Sequence, residues 1–167
     1  MLTLVPVRIE QNELSKIKNP IFLGTWAFEN GDIEGIINNI PYIPYTYDNY
    51  DSLKEDYLYS IELYEKFITI FNDFFNGKFD LNWNIKSTKL FCGLWVLEFI
   101  QVVLEKYRLL DSAFLTKQIE KIVLTDTLYE VKDYEDFNSK IQVDSYNHIL
   151  ISKIVKHMDN KLFQNSY

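Results

Sequence analysis

One aspartate and one histidine near the end of the chain have the spacing of a catalytic pair. His148 follows Asp144 by four residues, and four residues is about one turn of a helix. On a helix, the carboxylate of Asp144 could therefore orient the imidazole of His148 for general-base chemistry. Asp144 is more simply explained as the N-cap of that helix, with no catalytic role. The sequence leaves both interpretations open.

A second group of residues has the composition of a sugar-binding site. Tyr45, Tyr47 and Asp48 lie at and just beyond the end of an extended segment at residues 42–45. An aspartate among tyrosines can hold sugar hydroxyl groups while the rings stack on the face of the sugar. The alternative is an aspartate that stabilises a turn before the next helix.

The third candidate site is Gly24 with Trp26. Both lie where a predicted strand, in the apolar run at residues 20–28, gives way to a loop. In open α/β sheets, ligands bind outside the carboxyl ends of the strands, so the two residues are candidates for ligand binding. The alternative is that Gly24 allows close packing and Trp26 fills the core.

The patterns of several other chemistries are not found in the sequence. The acidic run at residues 133–136 lacks the Asp-x-Asp spacing of a metal site and is typical of a helix N-cap at Asp133 with first-turn acids. The chain has no Cys/His cluster, no glycine-rich phosphate loop and no Gly-x-Ser-x-Gly elbow. We therefore predict no metal site and no cofactor.

The composition is that of one ordered domain. The chain has 167 residues, of which 47% are hydrophobic and 25% charged, with only 5 Gly and 4 Pro. A chain of this length is expected to form a single core. The net charge of −7, with no basic stripe, disfavours binding to a nucleic-acid backbone.

The single cysteine and the amino-terminal sequence predict a reducing, cytoplasmic location. Cys92 has no second cysteine to pair with, and it lies in an apolar run that predicts a small buried side chain. The amino terminus lacks the basic region and cleavage site of a signal peptide.

No transmembrane segment is predicted. The longest apolar stretch, residues 90–104, is interrupted by Glu98 and Gln101 and is shorter than the ~20 residues that cross a bilayer. We interpret it as part of a buried helix.

Strand and helix signals alternate along the chain. Strands are predicted at residues 2–7, 20–28 and 119–124, with the second as the central one. Helices are predicted at residues 32–38, 52–77, 88–114, 134–141 and 145–158.

The first long helix has the clearest pattern. Ser52 and Glu55 form a capping box at its start, and Gly77 can serve as its left-handed stop. Its apolar stripe consists of Leu53, Tyr57, Ile61, Tyr64, Ile68, Phe71 and Phe75. The second long helix is most apolar in its first half, which we expect to be buried on most sides.

Strands interleaved with helices predict an α/β fold. A parallel crossover needs an intervening segment of this length, so we expect a small, open, mainly parallel sheet flanked by two long helices and by closing helices.

The order of several short motifs resembles the opening of a family of transferases from bacterial O-antigen and related surface-carbohydrate gene clusters. The matching runs are Phe22-Leu23-Gly24-Thr25-Trp26, Pro44-Tyr45-Thr46-Tyr47-Asp48, Leu53-Lys54-Glu55-Asp56-Tyr57-Leu58-Tyr59, Leu63-Tyr64-Glu65-Lys66, Gly93-Leu94-Trp95, Phe99-Ile100-Gln101, Asp133-Tyr134-Glu135-Asp136-Phe137 and Asp144-Ser145-Tyr146-Asn147-His148. Two features depart from the family: it usually has an acidic residue and a cysteine where this chain has Thr25 and Ala27, and its members continue for several hundred residues.

The resemblance implies a Rossmann-like, acceptor-side half of a two-domain glycosyltransferase. Gly24, Trp26, Tyr47 and Asp48 would line the cleft, and a catalytic second domain would hold the nucleotide-sugar. The implied partners are a glycan acceptor and either that second domain or further copies of the chain.

The alternative function is a non-catalytic interaction module that keeps the fold. An exposed apolar patch where a second domain docks would favour the transferase part or an oligomer, whereas a fully polar surface would favour the module.

Overall fold

The computed structural model of the protein describes residues 2–27, 41–44, 49–116, 118–128 and 130–158. The chain forms two compact units. The sheet unit comprises Met1–Thr46 and Lys106–Tyr167, and the hairpin unit comprises Tyr47–Glu105. The prediction of a single domain stays a prediction.

The described elements follow one another in the predicted order, except for one short helix between the first two strands that was not predicted. The strands are β1 (Leu2–Val5), β2 (Pro20–Phe22) and β3 (Ile119–Ile122). The helices are α1 (Gln11–Leu14), α2 (Tyr50–Phe79), α3 (Ile85–Thr116), α4 (Tyr134–Lys140) and α5 (Asp144–His157), with a 3-10 turn at Thr25–Ala27. The predicted helix at residues 32–38 lies outside the described residues.

The sheet has three parallel strands in the order β2-β1-β3. The prediction of a mixed α/β fold with a parallel sheet is therefore confirmed. The prediction that the second strand is central is wrong. Among the described residues, β1 pairs with a strand on both sides, whereas β2 has β1 on one side and only the single bridge from Phe22 to Tyr42 on the other. A run of apolar residues indicates burial, but pairing order is set by contacts distant in sequence.

The core of the sheet unit lies between the sheet and its helices. Leu4 of β1 is fully buried, and the bridge segment continues the sheet, with Ile43 N donating to Phe22 O at 2.7 Å. The other buried side chains of this cluster are Val7, Ile21, Leu23, Leu109, Leu110, Ala113, Ile122, Ile151 and Val155.

The two closing helices begin differently from each other. Asp133 caps α4 as predicted, since its carboxylate accepts from Asp136 N at 2.8 Å. The predicted N-cap at Asp144 is wrong: Val143 is the N-cap of α5, and Asp144 is its first residue. A carboxylate in the first turn still interacts favourably with the helix dipole, so the same residue type suits both positions.

The hairpin unit is built from α2 and most of α3. Ile68, Val96 and Ile100 form its buried core, and Tyr64 and Phe71 pack against it. The predicted stripe therefore faces the core in the second half of α2. Leu53 and Tyr57, at its start, are exposed instead.

Both predicted ends of α2 are wrong by a few residues. Asn49 is the N-cap and accepts from Asp51 N at 2.9 Å, so the helix begins before Ser52. The helix continues through Gly77 and ends at Asp80, whose φ of 52° makes it the left-handed cap. Aspartate tolerates the left-handed conformation well enough to occupy a cap position where glycine is more usual.

Gly77 is consequently a glycine in a helix interior, and replacing it should stabilise the protein. A Cβ at Gly77 would contact nothing within 4 Å. We expect Gly77→Ala to raise the free energy of unfolding by about 1 kcal/mol, measured by urea denaturation followed by circular dichroism. Gly93→Ala is the matched control: its Cβ would lie 2.7 Å from the hydroxyl of Tyr64, so it should not stabilise. Equal stabilisation by both changes would contradict this account.

The prediction that the first half of α3 is buried on most sides is wrong. Leu90, Phe91 and Leu94 are 91%, 65% and 61% exposed. In the part of the chain that the structure describes, the stretch Ile85–Leu115 meets the length and composition of a membrane-spanning helix, and 28% of its most apolar window is buried. Core helices of soluble proteins meet the same criteria, so the predicted lack of a transmembrane segment stays a prediction.

Candidate functional site

The carboxyl ends of the three strands form one edge of the sheet unit. Because β1, β2 and β3 are parallel, the segments that follow them meet at this edge: residues 6–8, 23–26 and 123–127. The ladder continues one residue into the flanking segments, since Leu23 N donates to Val5 O at 3.0 Å and Val123 N donates to Leu4 O at 2.9 Å. We call these three segments the carboxyl edge.

The strand order places a switch point at this edge. From β1 the chain goes first to β2 on one side and later returns to β3 on the other. In open α/β sheets, the carboxyl side of such a reversal opens a crevice, and ligands bind there. The expected crevice lies between the segments that follow β1 and β3.

Gly24 and Trp26 lie at the carboxyl edge, as predicted, and they are packed together. A Cβ on Gly24 would overlap ring atoms of Trp26, so only glycine fits beneath the indole. The indole Nε1 donates to the Pro6 carbonyl at 3.3 Å, which fixes the ring across the segment after β1. The structure thus explains Gly24 by close packing, whereas ligand binding by Trp26 stays a prediction.

A cation lies against the indole ring. The ammonium nitrogen of Lys106 is 5.4 Å from the centroid of Trp26, within the range of a cation–π interaction. Trp26 is only half-buried. Part of this side chain is therefore accessible at the edge.

Arg8, in the segment that follows β1, forms a loose ion pair with Asp144. The Arg8 Nε is 3.7 Å from Asp144 Oδ2, and both side chains are 40% exposed. Exposed pairs of this kind contribute between about 0 and 1 kcal/mol to stability. The guanidinium can therefore turn towards a ligand at little cost.

His148 is held by the segment after β3 and not by Asp144. Its Nε2 lies 3.0 Å from the Val123 carbonyl oxygen. A carbonyl can only accept, so Nε2 carries the proton in this contact. The predicted pair is not brought together, because the carboxylate of Asp144 faces Arg8 and the imidazole faces the backbone.

A buried serine connects α5 to the same segment. Ser152 is 1% exposed, accepts from Thr125 N at 3.0 Å and donates to the His148 carbonyl at 2.7 Å. Thr125 and Thr127 in turn share a hydrogen bond of 2.9 Å between their hydroxyl oxygens. Ser152 and His148 together position the two threonine hydroxyls at the edge.

Comparison with known proteins places the chain in a family. Residues 2–167 match the model of the LIC12162 family transferases. The chain belongs to this family. No curated protein and no solved structure matches it. The predicted resemblance to a transferase family is confirmed by this match.

Three residues of the candidate site were not predicted from the sequence: Arg8, Thr125 and Ser152. Arg8 follows the strand that proves to be central, so a correct strand order would have identified it as a candidate site residue. Ser152 lies in an ordinary helical pattern and gives no signal. The predicted binding residues Tyr45, Tyr47 and Asp48 lie outside the described residues.

The family member shows no metal centre in the part that the structure describes. Among those residues, no three His, Cys, Asp or Glu side chains approach one another closely enough to hold an ion. In the hairpin unit, Cys92 is half-buried, and burial raises the pKa of its thiol. A protonated thiol in this position is a packing residue and a poor nucleophile.

Proposed function

We propose that this chain is the acceptor-binding part of a cytoplasmic glycosyltransferase that builds bacterial surface carbohydrate. The acceptor glycan binds at the carboxyl edge of a small Rossmann-like sheet. The activated sugar donor is held by a second catalytic domain or by another copy of the chain. Transfer of the sugar then takes place where the two meet.

The observation that carries this proposal is the chemistry of the carboxyl edge in a member of a transferase family. The edge combines the ring of Trp26, the guanidinium of Arg8 and the hydroxyls of Thr125 and Thr127. A sugar offers an apolar face for stacking and hydroxyl groups for hydrogen bonds, and these side chains complement both.

The same edge supports acceptor binding better than complete catalysis. General-base catalysis requires a base that a second group orients towards the reacting hydroxyl. The predicted Asp144–His148 pair is not assembled, because the carboxylate of Asp144 faces Arg8 and the imidazole of His148 faces the Val123 carbonyl. We therefore assign donor activation to the second part of the enzyme.

The interaction module remains the competing function. It was expected to have a fully polar surface, and the hairpin unit does not: Phe74, Leu90 and Phe91 are among its exposed side chains. This observation disfavours a module with a fully polar surface.

Titration of the purified chain with nucleotides, nucleotide-sugars and simple glycans tests the proposal. By calorimetry or ligand-observed NMR, we expect a glycan to bind and Arg8→Ala to weaken it at least about tenfold, because a charge-assisted hydrogen bond is lost. Lys18→Ala is the control, since it removes an exposed cation just before β2, at the opposite edge.

The other outcomes contradict the proposal in distinguishable ways. Binding of a nucleotide-sugar that depends on Arg8 would place the donor site on this chain. A lack of binding across the whole panel would favour the interaction module.

A further inference from the structure

We propose that the tip of the hairpin unit docks on an anionic lipid surface. The hairpin tip comprises residues 74–94, which include the end of α2, the connecting loop and the start of α3. Its exposed apolar side chains are Phe74, Phe79, Leu81, Ile85, Leu90, Phe91 and Leu94. This proposal is independent of the acceptor site, which lies in the sheet unit.

The tip is a preformed structure and does not depend on a flexible loop. The Asn76 side chain closes the turn by donating to Trp83 O at 2.8 Å and accepting from Trp83 N at 2.6 Å. The ring of Trp83 then packs 5.2 Å from Phe91 and 5.8 Å from Phe75, centroid to centroid. A rigid aromatic surface loses little conformational entropy when it binds.

The depth of the apolar surface suits the interfacial zone of a bilayer. With a rise of ~1.5 Å per residue, Leu90 and Leu94 lie about 8 and 14 Å along α3 from Ile85. Interfacial protein segments bury their apolar face by roughly 5–10 Å. The most exposed side chain of the tip, Leu90, lies within that range.

The charge of the tip fits an anionic surface. Residues 74–94 carry Lys78, Lys86 and Lys89 against the carboxylate of Asp80, and Lys89 is offset by its ion pair with Glu65. Residues 49–66, at the other end of α2, carry five carboxylates against two lysines. In a chain of net charge −7, this asymmetry would orient the tip towards anionic headgroups.

The lysines lie among the apolar side chains that would insert. The Lys78 ammonium is 5.2 Å from the ring centroid of Phe74 and 5.5 Å from that of Phe79, and Lys89 pairs with Glu65 at 2.6 Å. Lysines beside aromatic rings are typical of segments at the membrane interface, where the charged end reaches the headgroups.

Two other occupants fit the tip less well. A twofold pairing of tips would bring the lysines of both copies together, which is unfavourable. A span across the bilayer would bury Glu98 of α3 and the carboxylates of α2 in hydrocarbon.

The test is sedimentation of the full chain with vesicles of phosphatidylcholine, with and without phosphatidylglycerol. We expect binding that needs phosphatidylglycerol and weakens at high salt. Leu81→Glu, in the connecting loop, and Leu90→Glu should each lower the partition coefficient about tenfold or more, because each removes an exposed leucine from the inserted surface. Circular dichroism checks that the variants stay folded.

Leu128→Glu is the matched control, since it makes the same change at an 86% exposed leucine on the sheet unit. It should leave vesicle binding unchanged. No binding to either vesicle, or equal losses in all three variants, would overturn the proposal. A lipid-independent dimer that Leu90→Glu dissociates, without vesicle binding, would overturn it in favour of a second copy.

Discussion

The Gly24→Ala variant is expected to lose about 1–3 kcal/mol of unfolding free energy, the usual range for overpacking a filled site. The added methyl would overlap the ring of Trp26, which packs against both buried clusters of the sheet unit. The indole must move and release its hydrogen bond to Pro6 O. Urea unfolding measures the loss, and the indole N–H resonance of Trp26 reports the displacement.

Gly77→Ala is the control for this variant, because it makes the same chemical change where a Cβ has open space. A Gly24→Ala protein with unchanged stability and an unshifted Trp26 resonance would show that the two residues are not packed as described.

The Ser152→Ala variant should lose about 1–3 kcal/mol, because it leaves the Thr125 N–H without its acceptor in a partly buried position. Hydrogen exchange distinguishes this cause from a general loss of packing. The Thr125 amide should exchange faster relative to the amides of β1. The Ser152→Ala change should also lower the affinity for the acceptor, since the segment that carries Thr125 and Thr127 becomes less ordered.

Ser139→Ala is the matched surface control. The Ser139 hydroxyl donates to the Asp136 carbonyl from an exposed position, and such changes are usually worth within about 0.5 kcal/mol. Equal losses at Ser139 and Ser152, or a Thr125 amide whose exchange is unchanged, would contradict the assigned role of Ser152.

The periodic elements were predictable because their signals are local. The spacing of Tyr64, Ile68 and Phe71 indicates one helix face, and these residues face the core of the hairpin unit. The N-cap at Asp133 also depends only on neighbouring residues. The parallel sheet followed from the alternation of elements.

Helix ends and strand order were less predictable. More than one nearby residue can cap a helix end, and strand order depends on pairing between distant parts of the chain. Asn49 and Ser52 are both good caps, and Gly77 and Asp80 both tolerate a helix terminus, so sequence alone does not choose between them. The central position of β1 arises from pairing with β3, more than 110 residues later in the chain.

Whether a residue of the candidate site was predicted depended on whether the strand before it was correctly recognised. Trp26 was found because it follows a recognisable strand. Arg8 was missed because the strand before it was not identified as central. The Asp144–His148 spacing permitted a pair, but Arg8 and the Val123 carbonyl, which are far away in sequence, engage the two side chains.

The most direct test of the acceptor site is amide chemical-shift mapping of the ¹⁵N-labelled chain during titration with the glycan panel. We expect the largest shifts at residues 6–8, 24–26 and 123–127, together with the indole of Trp26. Shifts confined to the hairpin unit, or to the ends of the strands opposite the carboxyl edge, would contradict an acceptor site at the carboxyl edge.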